Sequence, residues 1–292
     1  MQIKSNIAKF MDRSMLKKLN LLKKRYVSAK KIGFFDEQVD SFYDASKCPL
    51  PSGYLTGKID DFLGVANLSE TMAASSLRTQ PNSANKIHLS WDVPAFVWEA
   101  LLNSKKLESA VRSYLGADVR LDDLYIKTVM DGLQSVSEGW HDDNVGYRLK
   151  LFMVFDVDGE PAGTVLIPRT RPSLYNVNLK DELKRMNGSL PTENRSKEIK
   201  IGYSAGDFLL FDTNLEHRGD YSTGTGTRYC VIAEFIDRRK GDALRGRAPC
   251  GPGQSRHHLT IPKLKKVDLT NHLLIDQSLL TETEIDFRYG YQ

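Results

Sequence analysis

Apolar residues along this chain follow two kinds of pattern. In the first third they recur at helical spacing. Ile7, Met11, Met15, Leu19, Leu22 and Tyr26 lie three or four residues apart, on one face of a helix. The stretches 59–67 and 92–116 also read as helices, the second with Asp92 as its cap and Pro94 in its first turn. Near Val119 the pattern changes. From there to about residue 237, short apolar runs are separated by Gly, Asp, Asn and Pro. Strands are predicted at 119–130, 147–156, 163–168, 198–202, 207–212 and 228–237. Many short strands divided by turn residues make a sandwich or barrel. The polar stretch 172–197 reads as an insertion between strands, with a short helix at 178–186. The Arg-, Gly- and Pro-rich stretch 238–256 is expected to be irregular, and 273–285 to form a final helix or strand.

Composition adds bounds to this outline. The 292 residues are 40% hydrophobic and 27% charged, which excludes a mainly disordered or collagen-like chain. The length fits one large domain or two small ones, and the core needs no disulfide or metal staple. Cys48, Cys230 and Cys250 are too few and too scattered for a disulfide framework, so a reducing cytoplasm is the expected compartment. No apolar run approaches the ~20 residues of a spanning helix. The basic N-terminus lacks a continuous apolar stretch, so no secretory signal is expected.

Charge is unevenly placed. The formal net charge is +4, yet residues 1–31 hold ten Lys or Arg and one acid, Asp12. That segment is read as a basic amphipathic helix, and residues 32–292 as one domain. Two readings of the helix stand side by side. Its lysines could meet an anionic membrane surface, each contributing on the order of 1 kcal/mol. Equally, its apolar face could pack on the body with the lysines solvated. Nucleic acid is not an expected partner, because the aromatic and glycine pattern of RNA-binding modules is absent.

Candidate chemistry lies in the strand-rich half. Gly139-Trp140-His141-Asp142-Asp143 directly precedes the predicted strand at 147–156. In extended backbone, His141 and Asp143 point the same way, so an imidazole and a carboxylate can converge on one ion. The second element is Gly206 to Gly219, in which a strand ends at Asp212 and His217 sits beyond it in a loop. The third is Arg228, opening a strand on which Arg228, Cys230 and Ile232 share a face. Two histidines and one carboxylate form the facial triad of non-haem iron(II) oxygenases, which leaves open positions on the metal. An Arg opening a buried strand needs an anionic partner, and its planar fork suits a carboxylate.

Trp140-His141-Asp142-Asp143, Phe208 to Gly219 and Arg228-Tyr229 together resemble the Fe(II)/2-oxoglutarate dioxygenases of the phytanoyl-CoA dioxygenase type. The resemblance covers about residues 120–237. It implies a double-stranded β-helix, or jelly roll, with helices packed on one side and a core at about 119–237. It also implies that His141, Asp143 and His217 ligate Fe(II) and that Arg228 binds the far carboxylate of 2-oxoglutarate. Lys127 and Thr164 are the other positions it places at the co-substrate. Gly163 to Pro168 resembles the family's strand that runs into a Pro-Gly-Ser-His turn, but here the turn reads Pro168-Arg169-Thr170-Arg171. The implied reaction uses dioxygen and converts 2-oxoglutarate to succinate and carbon dioxide while hydroxylating a C–H bond.

For the substrate, the cations Arg169, Arg171, Arg239 and Arg247 fall in loops expected to flank the barrel mouth. They point to an anionic small molecule or glycolipid. The Kdo sugar of lipopolysaccharide is the leading specific expectation, because it also fits the basic N-terminal segment at a membrane. A soluble acid or natural-product intermediate is the alternative within the same chemistry. A cupin-like metal enzyme without 2-oxoglutarate, a nucleic-acid demethylase of the same superfamily and a non-catalytic jelly-roll adaptor are the alternatives outside it.

Overall fold

The computed structural model describes residues 50–75, 77–78, 87–116, 118–130, 140, 148–168, 197–213, 215–220, 226–237, 261–270 and 272–275. The helices expected within 1–31 and at 178–186 lie outside them, as does most of 273–285. In chain order the elements are β1 (Tyr54–Lys58), α1 (Ile59–Leu63), α2 (Leu68–Ala74), β2 (Ile87–Ser90), α3 (Ala95–Asn103) and α4 (Lys105–Leu115). Then follow β3 (Val119–Val129), β4 (Arg148–Asp158), β5 (Gly163–Leu166), β6 (Ile199–Ile201), β7 (Asp207–Asp212), β8 (His217–Asp220) and β9 (Thr227–Asp237). Among the described residues no helix is long and apolar enough to cross a membrane.

Two antiparallel sheets form, one of six strands in the order β1-β7-β4-β9-β3-β2 and one of three in the order β6-β5-β8. From β4 onward the chain passes between them: β4 in the large sheet, β5 and β6 in the small, β7 in the large, β8 in the small, β9 in the large. This connectivity makes the domain a jelly roll, as the family resemblance implies.

The large sheet is buried on both faces, and that explains its sequence. On β9, Tyr229, Val231, Ala233 and Phe235 face one hydrophobic cluster while Cys230 and Ile232 face another. β7 divides the same way, with Phe208 and Leu210 on one side and Leu209 and Phe211 on the other. The first cluster is completed by α1 to α4, through residues such as Phe62, Met72, Trp98 and Val111. The second is completed by Leu166 and Tyr203 from the small-sheet side and is the lumen of the roll. A strand covered on both faces has no reason to alternate with polar residues, and so Leu151 to Phe155 is a continuous apolar run.

The two predicted helices that fall within the described residues, 59–67 and 92–116, are corrected. The helix expected over 59–67 stops at Leu63, because Gly64 takes a left-handed conformation (φ 71°), and a new helix starts at Leu68. The single helix expected over 92–116 is two helices. Pro94 is the residue that caps α3 rather than a member of its first turn, and Asp92 does not cap it. The break falls at Ser104, which is extended, and whose hydroxyl accepts from Leu107 N at 3.2 Å and donates to Phe62 O at 3.3 Å. One side chain thus caps α4 and ties it to α1. Ser104→Ala is expected to destabilise the domain by about 1–2 kcal/mol, read as a lower urea midpoint at unchanged slope.

Candidate active site

The segment that carries His217 is fixed by its own short-range bonding. β7 ends at Asp212, whose amide donates to Gly53 O at 2.9 Å and whose carboxylate accepts from Tyr114 Oη at 2.8 Å. Thr213 N donates to Arg148 O at 3.0 Å, and Leu215 N folds back to Asp212 O at 3.0 Å. Gly53 has φ 82°, and a Cβ there would stand 2.9 Å from Leu215 Cδ2, so the turn packs directly onto a residue that must be glycine. Ile167 N then takes Glu216 O at 2.9 Å, and β8 begins. His217 is therefore the first residue of a strand paired with Leu166, not a loop residue as expected.

The imidazole is buried, 6% exposed, and sits edge-on to Phe211 with centroids 5.0 Å apart. Its Nδ1 lies 2.8 Å from Leu215 O. A carbonyl can only accept, so Nδ1 carries a proton, and in the neutral ring the lone pair is then on Nε2. That is the tautomer in which a histidine ligates a metal, with its other nitrogen held by a carbonyl behind it.

Arg228, the second residue of β9, lies 8% exposed on the lumen side. Its guanidinium stands 4.6 Å from the centroid of Tyr203 and 5.7 Å from that of Phe152. One nitrogen, Nη1, donates to Ala162 O at 3.2 Å, while Nε has no hydrogen-bond partner. Among the described residues no carboxylate pairs with it. A buried guanidinium whose neighbours are a carbonyl and neutral side chains, with Nε unpartnered, is costly. A carboxylate entering from the lumen would offset that cost.

Thr164 and Tyr203 stand beside this cation. Thr164 on β5 pairs with Ile201 and Gly219, and its hydroxyl is 2.7 Å from Tyr203 Oη. Burial pushes the Tyr203 phenol up to about 12, against the opposing pull of Arg228 and Thr164. Tyr203 therefore keeps its proton at neutral pH and can act as a donor. Lys127 on β3 pairs with Cys230, which puts it on the same face of the sheet. Its carbonyl accepts from Cys230 Sγ at 3.2 Å, and its charge, with the larger effect of Arg228, opposes the upward push of burial on that thiol.

Further along the same face is a ladder of buried charges. Glu234 on β9 accepts from Tyr125 Oη at 3.1 Å, is 3.2 Å from Lys150 Nζ and pairs with Arg148. Arg148, fully buried, is also 3.8 Å from Asp122, which in turn is 3.8 Å from Arg120. Trp91 Nε1 donates to Asp123 at 3.1 Å nearby.

Of the predicted site, the structure brings together His217, Arg228, Thr164 and Lys127 on the strands that face the lumen. His141, Asp143, Arg169, Arg171, Arg239 and Arg247 lie outside the described residues. Within the described residues no three His, Cys, Asp or Glu side chains are grouped closely enough to hold a metal. Sequence reasoning missed Tyr203 and the charge ladder. Lys150 and Glu234 were legible as charges inside apolar strands, whereas Tyr203 becomes visible only once β5 and β6 are paired.

No known family profile matches the chain, and no curated protein matches it. Solved structures do. The chain is similar to EctD from S. alaskensis in its apoform, with 13% identity over 78% of this chain and 88% of that one and a TM-score of 0.46. It is similar to iron-bound HygX from Streptomyces hygroscopicus, with 14% identity over 64% and 82% and a TM-score of 0.44. It is also similar to SnoK, a non-heme alpha ketoglutarate dependent carbocyclase from nogalamycin biosynthesis, with 13% identity over 67% and 84% and a TM-score of 0.41.

Proposed function

We propose that this protein is an Fe(II)- and 2-oxoglutarate-dependent oxygenase that hydroxylates a C–H bond of a small molecule. The observation that carries the proposal is Arg228. It is a buried cation in the lumen, lacks a carboxylate partner among the described residues and is flanked by the bonded Thr164–Tyr203 hydroxyl pair, which keeps one proton to donate. A dicarboxylate whose far end meets Arg228, Thr164 and Tyr203 would supply the missing anion. Its near end would face the metal, for which His217 already presents the right tautomer. His141 and Asp143, by sequence, would complete the triad. Iron bound there would supply the coupling of dioxygen reduction to decarboxylation of 2-oxoglutarate and substrate hydroxylation.

The chain's own part is to bind and orient. Arg228 fixes the co-substrate by a charge-assisted fork, and Tyr203 and Thr164 set the plane of its carboxylate. Lys127 adds a positive charge on the same face. Phe152, Phe211 and Ile232 keep the lumen apolar, which strengthens each of these contacts. An anionic substrate is the finer reading, supported by Arg169, Arg171, Arg239 and Arg247 of the loops, with Kdo-containing glycolipid as its leading form. Residues 1–31 support a peripheral contact with an anionic membrane from the cytoplasmic side. A metal enzyme that lacks 2-oxoglutarate is disfavoured by Arg228, which would then have no anion to meet.

The test is an anaerobic titration with Fe(II) and 2-oxoglutarate. A visible charge-transfer band that needs both components, and succinate release once oxygen is admitted, is the expected result. Iron binding with no band and no succinate would overturn the co-substrate assignment.

A further inference from the structure

The geometry points to Arg218 and Trp140 as a positioning pair for the metal centre, an assignment that rests on the function proposed above. Arg218 follows His217 on β8, and strand alternation sends its side chain to the opposite face of the small sheet. There it lines up with Val165 and Lys200 across the register. Its guanidinium carbon stands 5.2 Å from the centroid of the Trp140 ring, within cation–π range. Trp140 is the residue immediately before His141 in the chain.

The guanidinium is not a loose surface group. Its side chain is only 24% exposed. Nη1 donates to Gly219 O at 3.0 Å and lies 3.9 Å from Asp220, and Nη2 lies 4.0 Å from Glu198. Asp220 is in turn held by Lys200 at 3.2 Å. These contacts aim a fixed cation at the tryptophan face. The consequence is a cross-link between two segments far apart in sequence, each one residue from a proposed ligand. His217 sits on the lumen side of β8, and Arg218 on the outside holds the ring of Trp140, the residue before His141 in the chain. Neither Arg218 nor Trp140 would touch the metal. Their contact would lower the entropy lost when ligands from separate segments meet on one ion.

The test is Fe(II) affinity, measured anaerobically by adding the metal alone to the full-length chain. Arg218→Gln and Trp140→Leu are each expected to weaken Fe(II) binding roughly 3- to 30-fold, the span of a partly desolvated cation–π contact. The double variant is expected to lose little more than either single variant. Arg218→Lys and Trp140→Phe, which keep a cation and an aromatic face, are expected to recover most of the affinity. The metal-free melting temperature is expected to change little. A purely structural role would instead lower that temperature and leave metal affinity intact. Single variants that bind Fe(II) as the wild type does, or losses that add fully in the double variant, would overturn the pairing while leaving the oxygenase reading in place. A wild-type chain that takes up no Fe(II) would overturn both.

Discussion

His217→Ala is expected to abolish Fe(II) binding and, with it, the charge-transfer band and succinate formation. The loss should exceed the 10- to 100-fold that follows removal of a group that merely supports a ligand. The structure gives the reason. Nδ1 is occupied by Leu215 O, so Nε2 is the nitrogen that can coordinate. Because the imidazole also packs against Phe211, the alanine leaves a small void. His217→Gln keeps most of the volume and separates the two effects. It is expected to melt close to the wild type and still fail to bind iron. Wild-type iron affinity in either variant would remove His217 from the site.

Arg228→Ala is expected to raise the 2-oxoglutarate dissociation constant by roughly 100-fold or more, as loss of one partner from a buried, hydrogen-bonded charge pair does. Fe(II) affinity measured without co-substrate should stay near the wild-type value. Arg228→Lys should recover only part of the loss, because an ammonium cannot reproduce the planar fork. Tyr203→Phe is the graded companion. Removal of one neutral donor should cost about 2- to 10-fold in 2-oxoglutarate affinity. Since burial holds the phenol protonated up to about 12, this contact should show no titration near neutral pH. Unchanged 2-oxoglutarate binding in Arg228→Ala would end the co-substrate assignment.

The strands of the core were legible because burial on both faces leaves long apolar runs. β7 matches its predicted bounds, and β3, β4 and β9 shift by at most two residues at either end. β8 was not legible. His217-Arg218-Gly219-Asp220 has no apolar residue, and it becomes a strand only because β5 offers its edge. β1 and β2 are short outer strands of the large sheet, where pairing rather than propensity decides the structure. The split of 92–116 at Ser104 was hidden because the helical period continues across it, and the break is set by a bond to Phe62 in a distant helix. For the site, residue types and spacing pointed to His217 and Arg228, and the family resemblance added Lys127 and Thr164. Tyr203 required the pairing of β5 with β6, which no local pattern encodes. Arg148 and Lys150 alternate with Leu149 and Leu151, and nothing local shows which acids meet them. In the structure both are buried, paired with Glu234 of β9.

The ladder of Arg120, Asp122, Arg148, Lys150 and Glu234 constrains how this protein could be re-engineered. Each charge is compensated by a neighbour rather than by water, so removal of one member strands another at a cost of about 3–5 kcal/mol, whereas exchange of a whole pair for packed apolar residues can be neutral. Directed evolution of the lumen wall through single substitutions would therefore meet inactive intermediates at most of these positions. Libraries that vary Lys150 and Glu234 together, or Arg148 with both of its acids, would cross that barrier in one step.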